Sequence, residues 1–429
     1  MATGNLAARL SRIRAGSQLS RSTEGVGQPP SEIPHAPSAG DFSVGWETPR
    51  PLVRTRTVEL GKAVSVAPAL DPALGLLCPG SADAFPEGAE LDSRRILFFD
   101  LETTGLSGGA GTIAFLAAFG RLRFRNDTPA LELKQYLLLD YPGESDFMDL
   151  VLSEFADAGQ APVLASYNGK SFDMQLLRSR CLMNGRRPPE LPHLDLVHGS
   201  RRLWRRMLGS CSLTEVERGI LGIDRGEDLG GAEAPDAWFD YLKTGESGRL
   251  RAICEHNLRD LEGLAALLGR MESIARDPRT AVRSGAADAE GLALRWLAAL
   301  RTGRPGADGA AARELLELAV ARDSPRCAWA LARLLSGEGN AVRGAWPNAD
   351  RVAELRRFVA EAADGRAAAG LRAAACRQLA RDAARRLGDY GAARAWIARA
   401  LAIAGDGSSL APALQRAAAV YERGAKTRE

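Results

Sequence analysis

Residues 94–106, RRILFFDLETTGL, constrain the fold of this chain more than any other stretch. An uninterrupted apolar run from Ile96 to Phe99 leads into Asp100, Leu101 and Glu102 and then into a Thr-Thr-Gly turn. A short apolar run closed by turn residues marks a buried strand. Alternate strand residues point to the same side, so Asp100 and Glu102 share a face, roughly 6.6 Å apart along the strand. The next basic residue is Arg121. Two carboxylates about 4 Å apart at an effective dielectric near 20 repel by about 4 kcal/mol. Either a metal cation settles between them or the strand end opens to water, and these residues alone leave both readings standing.

At 429 residues the chain has room for two or three domains. A formal net charge of +3 is nearly neutral at this length, so a nucleic-acid partner must be argued from local patches. The six cysteines are scattered with no Cys-x-x-Cys pair, which fits reduced thiols better than a disulfide framework or a zinc site. The opening MATGNLAARLSRIRAG lacks the apolar core of a signal peptide, and no stretch approaches the roughly 18 consecutive apolar residues that span a bilayer. A soluble, cytoplasmic protein is expected.

Residues 1–90 are rich in Pro, Gly, Ser and Ala and read as a flexible, disordered arm, with a short basic helix at 6–13 and a strand at 51–60 as its only candidate elements. From Ile96 dense β-type runs follow at 96–100, 111–124 and 131–140, joined by short polar links, so three adjacent antiparallel strands are expected. A helix at 145–159, a strand at 162–167 and a helix at 172–185 then continue as β-α-β crossovers. The result is an α/β domain over 91–275, a mixed sheet flanked by helices in the order of a ribonuclease-H-like fold.

Three further stretches hold candidate chemistry. In YNGKSFD, Asn168-Gly169 turns the chain, Ser171 suits an N-cap, and Asp173 falls in the first helical turn. Asp173 is explained there by the helix dipole, or by a cleft it shares with Asp100. In HGSRRLWRRML, Arg201, Arg202, Arg205 and Arg206 with Trp204 form a basic helix that either tracks phosphates or presents a solvated face with the indole turned into the core. In CEHNLRD, His256 and Asp260 lie four apart on one helical face, about 6 Å from each other.

DLETTGL with Asp100 and Glu102, YNGKSFD with Asn168, Phe172 and Asp173, and HNLRD with His256 and Asp260 together resemble the three motifs of the DEDD superfamily of 3'-to-5' exonucleases. The stretches SGGAGTIAFL and HLDLVHGSRRLW resemble those of the YprB-type branch of ribonuclease-H-like proteins. The resemblance covers residues 94–272 and implies hydrolysis of phosphodiester bonds in nucleic acid by a two-metal mechanism. It assigns Asp100, Glu102, Asp173 and Asp260 to two divalent cations, Mg²⁺ or Mn²⁺, which prefer carboxylate oxygen. His256 would accept the proton of the attacking water. Thr103, Thr104 and Leu106 would meet the terminal nucleotide, Phe172 belongs to the same substrate set, and Asn168 would orient the substrate or a neighbouring strand. The histidine subgroup usually places its His five residues before the last Asp, whereas here the separation is four. Asp195 is read as a structural group beside the site. An endonuclease on structured substrates and a non-catalytic nucleic-acid or protein-binding scaffold are the alternatives.

Residues 286–429 turn Ala-, Arg- and Leu-rich and read as an all-α domain of about seven helices. Leu387, Gly388, Tyr390, Ala393, Ala400 and Leu401 match the tetratricopeptide pattern, which implies an α-hairpin array able to bind a protein partner. A basic concave face guiding nucleic acid, or a cap that only stabilises the nuclease domain, are the other readings.

Overall fold

The computed structural model describes residues 42, 44–60, 64–105, 111–125, 128–156, 161–226, 230–304, 306, 308–335, 349–365, 369–405 and 407–426. The expected helix at 6–13 and the candidate residue Leu106 lie outside them. In chain order the strands are β1 (Glu47–Arg50), β2 (Val53–Leu60), β3 (Ala69–Leu70), β4 (Leu91–Asp92), β5 (Ile96–Thr103), β6 (Ala114–Arg125), β7 (Thr128–Leu138), β8 (Val163–Ser166) and β9 (His193–Asp195). Seven of them form a mixed sheet in the order β1-β2-β7-β6-β5-β8-β9, with β3 and β4 pairing separately. The β5-β6-β7 meander is antiparallel, and β8 and β9 run parallel to β5.

β2 is the strand expected at 51–60, whereas residues 44–50 and 64–90, expected to be flexible, are also part of the folded layer. β2 pairs with β7 along its whole length, from Val53 opposite Leu138 to Leu60 opposite Leu131. Leu70, Leu74, Leu76, Leu77 and Leu91 are buried. Sparse apolar residues were enough here because a partner edge and a helix face were already in place to receive them.

The first helices are α1 (Leu74–Leu77), α2 (Glu144–Ser153), α3 (Asp173–Met183), α4 (Leu196–Leu208), α5 (Leu213–Val216), α6 (Ala234–Thr244), α7 (Gly248–Arg276) and α8 (Pro278–Arg283). They cover both faces of the sheet, and alternation along β5 sorts its side chains accordingly. Leu97, Phe99 and Leu101 join one core with Trp238 and Ile253, while Ile96 and Phe98 join the other with Leu261, Leu264 and Leu268 of α7. Asp100 and Glu102 continue the Ile96–Phe98 side and emerge beside α7.

Among the described residues, seven helices follow: α9 (Ala289–Arg301), α10 (Gly309–Val320), α11 (Pro325–Leu335), α12 (Ala349–Asp364), α13 (Ala369–Asp382), α14 (Tyr390–Ala404) and α15 (Ala411–Lys426). The first of them share one continuous core with the sheet, reaching from Ile96 through Trp204 and Trp296 to Leu355 and Val359. A separate cluster around Cys376, Ala393, Ile397 and Leu414 holds the last hairpins. Gly388 adopts a left-handed φ of 67° and Asp389 caps α14 by accepting from Ala392 N at 2.8 Å. All six cysteines are buried free thiols. No helix among the described residues is long and apolar enough to cross a membrane.

The basic helix α4 settles the reading of Trp204. Its indole is fully buried and donates from Nε1 to Ala286 O at 2.8 Å. Arg202 donates to Leu77 O, and Arg206 pairs with Glu290 at 2.5 Å. Arg201 and Arg205 face solvent. The helix is a seam between the sheet layer and α9, with no base-stacking platform.

Candidate active site

The parallel ends of β5, β8 and β9 lie side by side, with Phe98 opposite Ala165 and Ser166 opposite Asp195. The chain leaves β8 through Asn168, whose φ of 67° is left-handed, and returns as α3. Asp195, completely buried, fastens this loop by accepting from Asn168 N at 2.7 Å, Lys170 N at 3.1 Å and Val197 N at 3.4 Å. A Cβ on Gly169 would overlap Ser166 Oγ and press on Asp173 Oδ2 at 3.0 Å, so glycine is required for the loop to pass over Asp173. Phe172 occupies the N-cap position of α3 without a side-chain cap, and Ser171 does not take the capping role expected of it.

Asp100, Glu102, Asp173 and Asp260 all line one cleft of about 460 Å³, together with Thr103, Phe172 and Gly231. Glu102 and Asp260 of this lining bring ligand-type atoms to within 4.8 Å of one another and of His256, which does not itself line the cleft. Phe172 is 57 % exposed beside them. Thr103 lines the cleft and donates to Gly105 O at 2.9 Å. Thr104 and Asn168 do not line it. Thr104 Oγ1 is taken up by Ile113 N at 3.0 Å, and Asn168 contributes a backbone turn. Both residues hold the loops that border the cleft, which for Asn168 agrees with the expected part in orienting a neighbouring segment.

At Asp100, Glu102 and Asp173 burial and like charge act in one direction. Burial raises the Asp100 carboxyl well above its ordinary range, the charges of Asp173, Asp260 and Glu102 raise it further, and the Asn257 hydrogen bond opposes them. Burial, then Asp260 and Asp173, likewise raise Glu102. Asp173 is pushed up to about 7 by burial and by the charge of Asp195, against a backbone hydrogen bond. Carboxylates held in this state are relieved by a cation, and an oxygen-rich donor set with one imidazole suits Mg²⁺ or Mn²⁺.

Two buried arrangements around the carboxylates were not apparent in the sequence. Asn257 Nδ2 donates to Asp100 Oδ2 at 2.7 Å, Gln135 Nε2 donates to Asn257 Oδ1 at 2.7 Å, and Arg56 Nε donates to Gln135 Oε1 at 2.7 Å. Gln135 and Asn257 are fully buried, so this chain of hydrogen bonds fixes Asp100 from β2 and β7 across the sheet. The available signal was a glutamine inside the apolar run QYLLL and the asparagine next to His256. The second arrangement centres on Arg225, which grips Glu217 at 2.7 and 2.6 Å and reaches Asp260 Oδ1 at 2.5 Å. The other oxygen of Asp260 faces His256 Nε2 at 3.5 Å. A Cβ on Gly263 would overlap Glu217 Oε1, so that grip depends on a glycine one turn along α7 from Asp260.

Residues 97–272 match the model of a family described as the RNase_H superfamily. Over 179 residues the chain is 38 % identical to YprB, an uncharacterized protein of Bacillus subtilis (strain 168). The matching stretch spans 41 % of this chain and 41 % of that relative's length. The mixed sheet, the three parallel strand ends and this match together make residues 97–272 similar to the RNase H superfamily in sequence and in fold.

Proposed function

We propose that the chain is a metal-dependent nuclease that hydrolyses phosphodiester bonds of nucleic acid, removing nucleotides from the 3' end. The observation that carries this reading is the convergence of Asp100, Glu102, Asp173 and Asp260 in one cleft of a domain similar to the RNase H superfamily. These four carboxylates, with His256 beside Glu102 and Asp260, are the residues that would hold two divalent cations. Bound there, the cations would neutralise the carboxylates and polarise the phosphoryl oxygens for in-line displacement.

The chain's own residues supply the rest. Attack by water forms a P–O bond and breaks the bond to the leaving sugar oxygen, and the water must lose a proton. His256 Nε2, buried at the cleft edge, is placed to take that proton while Asp260 Oδ2 steadies the imidazolium. Phe172 offers an exposed ring against which a terminal base stacks, and Thr103 borders the same space. Asn257 and Arg225 keep Asp100 and Asp260 in the orientation a cation needs. The hairpin of α13 and α14, with its Gly388 turn and small buried residues, is read as a tetratricopeptide-like unit offering a surface to a protein partner.

The test is a panel of end-labelled and circular DNA and RNA strands incubated with purified protein and Mg²⁺ or Mn²⁺. Release of mononucleotides from 3' ends, with circles left intact, supports the reading; internal cutting of circles moves it to an endonuclease. No hydrolysis on any strand with either cation removes it.

A further inference from the structure

The helical region carries a second concentration of like charge. On α11, Arg326, Trp329 and Arg333 recur at intervals of three and four and so share a face. On α13, Arg377 and Arg381 are four apart and share another. The two faces meet at one indole: the guanidinium carbons of Arg333 and Arg381 lie 4.8 and 5.9 Å from the Trp329 ring centroid. Trp329 is only 8 % exposed, yet its Nε1 is buried without a hydrogen-bond partner among the described residues, and so is Nε of Arg377.

Among the described residues neither Arg377 nor Arg381 meets a carboxylate. Their charged neighbours are Arg326, Arg385 and Arg416, with the Tyr421 hydroxyl close by. Arg301, at the end of α9, faces Arg333. Arg326 is offset by Glu290 at 2.8 Å. Burial and the facing guanidiniums hold Arg301, Arg377 and Arg381 below the usual arginine range. Half-buried cations gathered without counter-charges cost stability, and a buried N–H without a partner costs more. An anion entering between α11 and α13 would relieve both.

We propose that the face formed by Arg326, Arg377 and Arg381 around Trp329 binds the phosphate backbone of a nucleic-acid strand, with Arg333 and Arg301 continuing the track. The choice of nucleic acid over an acidic peptide rests on the nuclease reading of residues 97–272; the charge concentration does not. Because the indole is buried beneath guanidiniums, it gives no stacking surface, and the site reads backbone charge without base preference.

The experiment is a salt titration of fluorescence anisotropy on the full chain in EDTA, with labelled oligothymidylate and oligoadenylate. Arg377→Gln with Arg381→Gln is expected to weaken both strands by about tenfold and to reduce the log–log salt slope by about 1.4, at about 0.7 per phosphate contact on a single strand. The Lys pair at the same positions is expected to keep the slope. Unchanged affinity and slope in a Gln pair that melts like the parent overturns the proposal, as does tighter binding of polyglutamate than of either strand. If the Gln pair does not fold, Arg381→Gln alone, near the end of α13, is read in the same way with half the slope change. Lack of hydrolysis with any cation would remove the nuclease reading and leave this cation-free titration standing.

Discussion

The cleft at Asp100 and the face around Trp329 both gather like charges in partly buried surroundings, but they are built differently. The cleft draws its carboxylates from β5, α3 and α7 and braces them with buried hydrogen bonds through Asn257 and Gln135 and with the Arg225 clamp. The arginine face draws on α9, α11 and α13, and there Arg377 and Arg381 face other guanidiniums. A braced cluster of charge is suited to hold small cations at defined positions, whereas an unbraced one suits a long, adaptable polyanion. On the proposed readings the one is a place for chemistry and the other a place for grip.

The largest expected effect tests the cleft as a place for chemistry. Asp100→Ala or Asp173→Ala should lower turnover at least about 100-fold, the order found when a group stabilising the transition state is removed. Single-turnover hydrolysis of an end-labelled strand by a variant with unchanged circular dichroism is the measurement, and near-parental rates in both variants would end the assignment.

Next is the clamp. Gly263→Ala forces a methyl group onto Glu217 Oε1 and should destabilise the protein by about 1–3 kcal/mol, read by urea melting. Asn257→Ala tests the brace more gently. Leaving Asp100 without its donor should weaken Mn²⁺ binding and turnover by roughly tenfold, about 1.4 kcal/mol. Isothermal titration with Mn²⁺ separates a loss of cation affinity from a loss of rate.

The charge of the cleft should also appear in stability against pH. The native carboxyls of Asp100, Glu102 and Asp173 bind protons more tightly than the unfolded chain does. Without divalent cation, their contribution to stability is therefore present below about pH 4, near the unfolded carboxyl values. It is lost as the pH rises through the native values, which for Asp173 is about 7. Asp173→Asn should flatten this decline, and Mg²⁺ should oppose it. A melting temperature in EDTA that rose steadily from pH 4 to 7 by the same margin in parent and variant would contradict the arrangement.

The smallest effect lies on the seam between the two regions. Arg206 is half exposed although it pairs with Glu290, so Arg206→Ala should cost no more than about 1 kcal/mol. Thermal melting checks it, and a much larger loss would mean that the two regions are joined by charge more than by the apolar core through Trp204 and Trp296.

Much of the sheet, and the pairing of Asp100 with Glu102 on one face of β5, could be read from residue order, because period-two apolar runs and short turn links are local properties; Asp173 and Asp260 are expected from the motif resemblance alone. The same locality explains the misses. Residues 64–90 lack a pattern of their own and owe their structure to α7, which lies far along the chain, while the strand legible at 51–60 gives no hint that β7 is its partner. Trp204 sits in a run of arginines and gives no local hint that its partner is the carbonyl of Ala286. Thr104 and Asn168 stand within motifs, and nothing local shows that Ile113 N and the Asp195 carboxylate are their partners.

Sequence by itself determined the alternation that puts Asp100 and Glu102 on one side of β5 and the helical spacing that aligns His256 with Asp260. Backbone geometry imposes both, whatever surrounds them. Only the tertiary structure decided that Asp173 joins them in one cleft, that Gln135 and Asn257 brace Asp100, that Arg225 takes one oxygen of Asp260, and that arginines from separate helices meet at Trp329. Those placements depend on contacts between residues as far apart in the chain as Asp100 and Asn257, and no local periodicity encodes which distant groups will share a buried space.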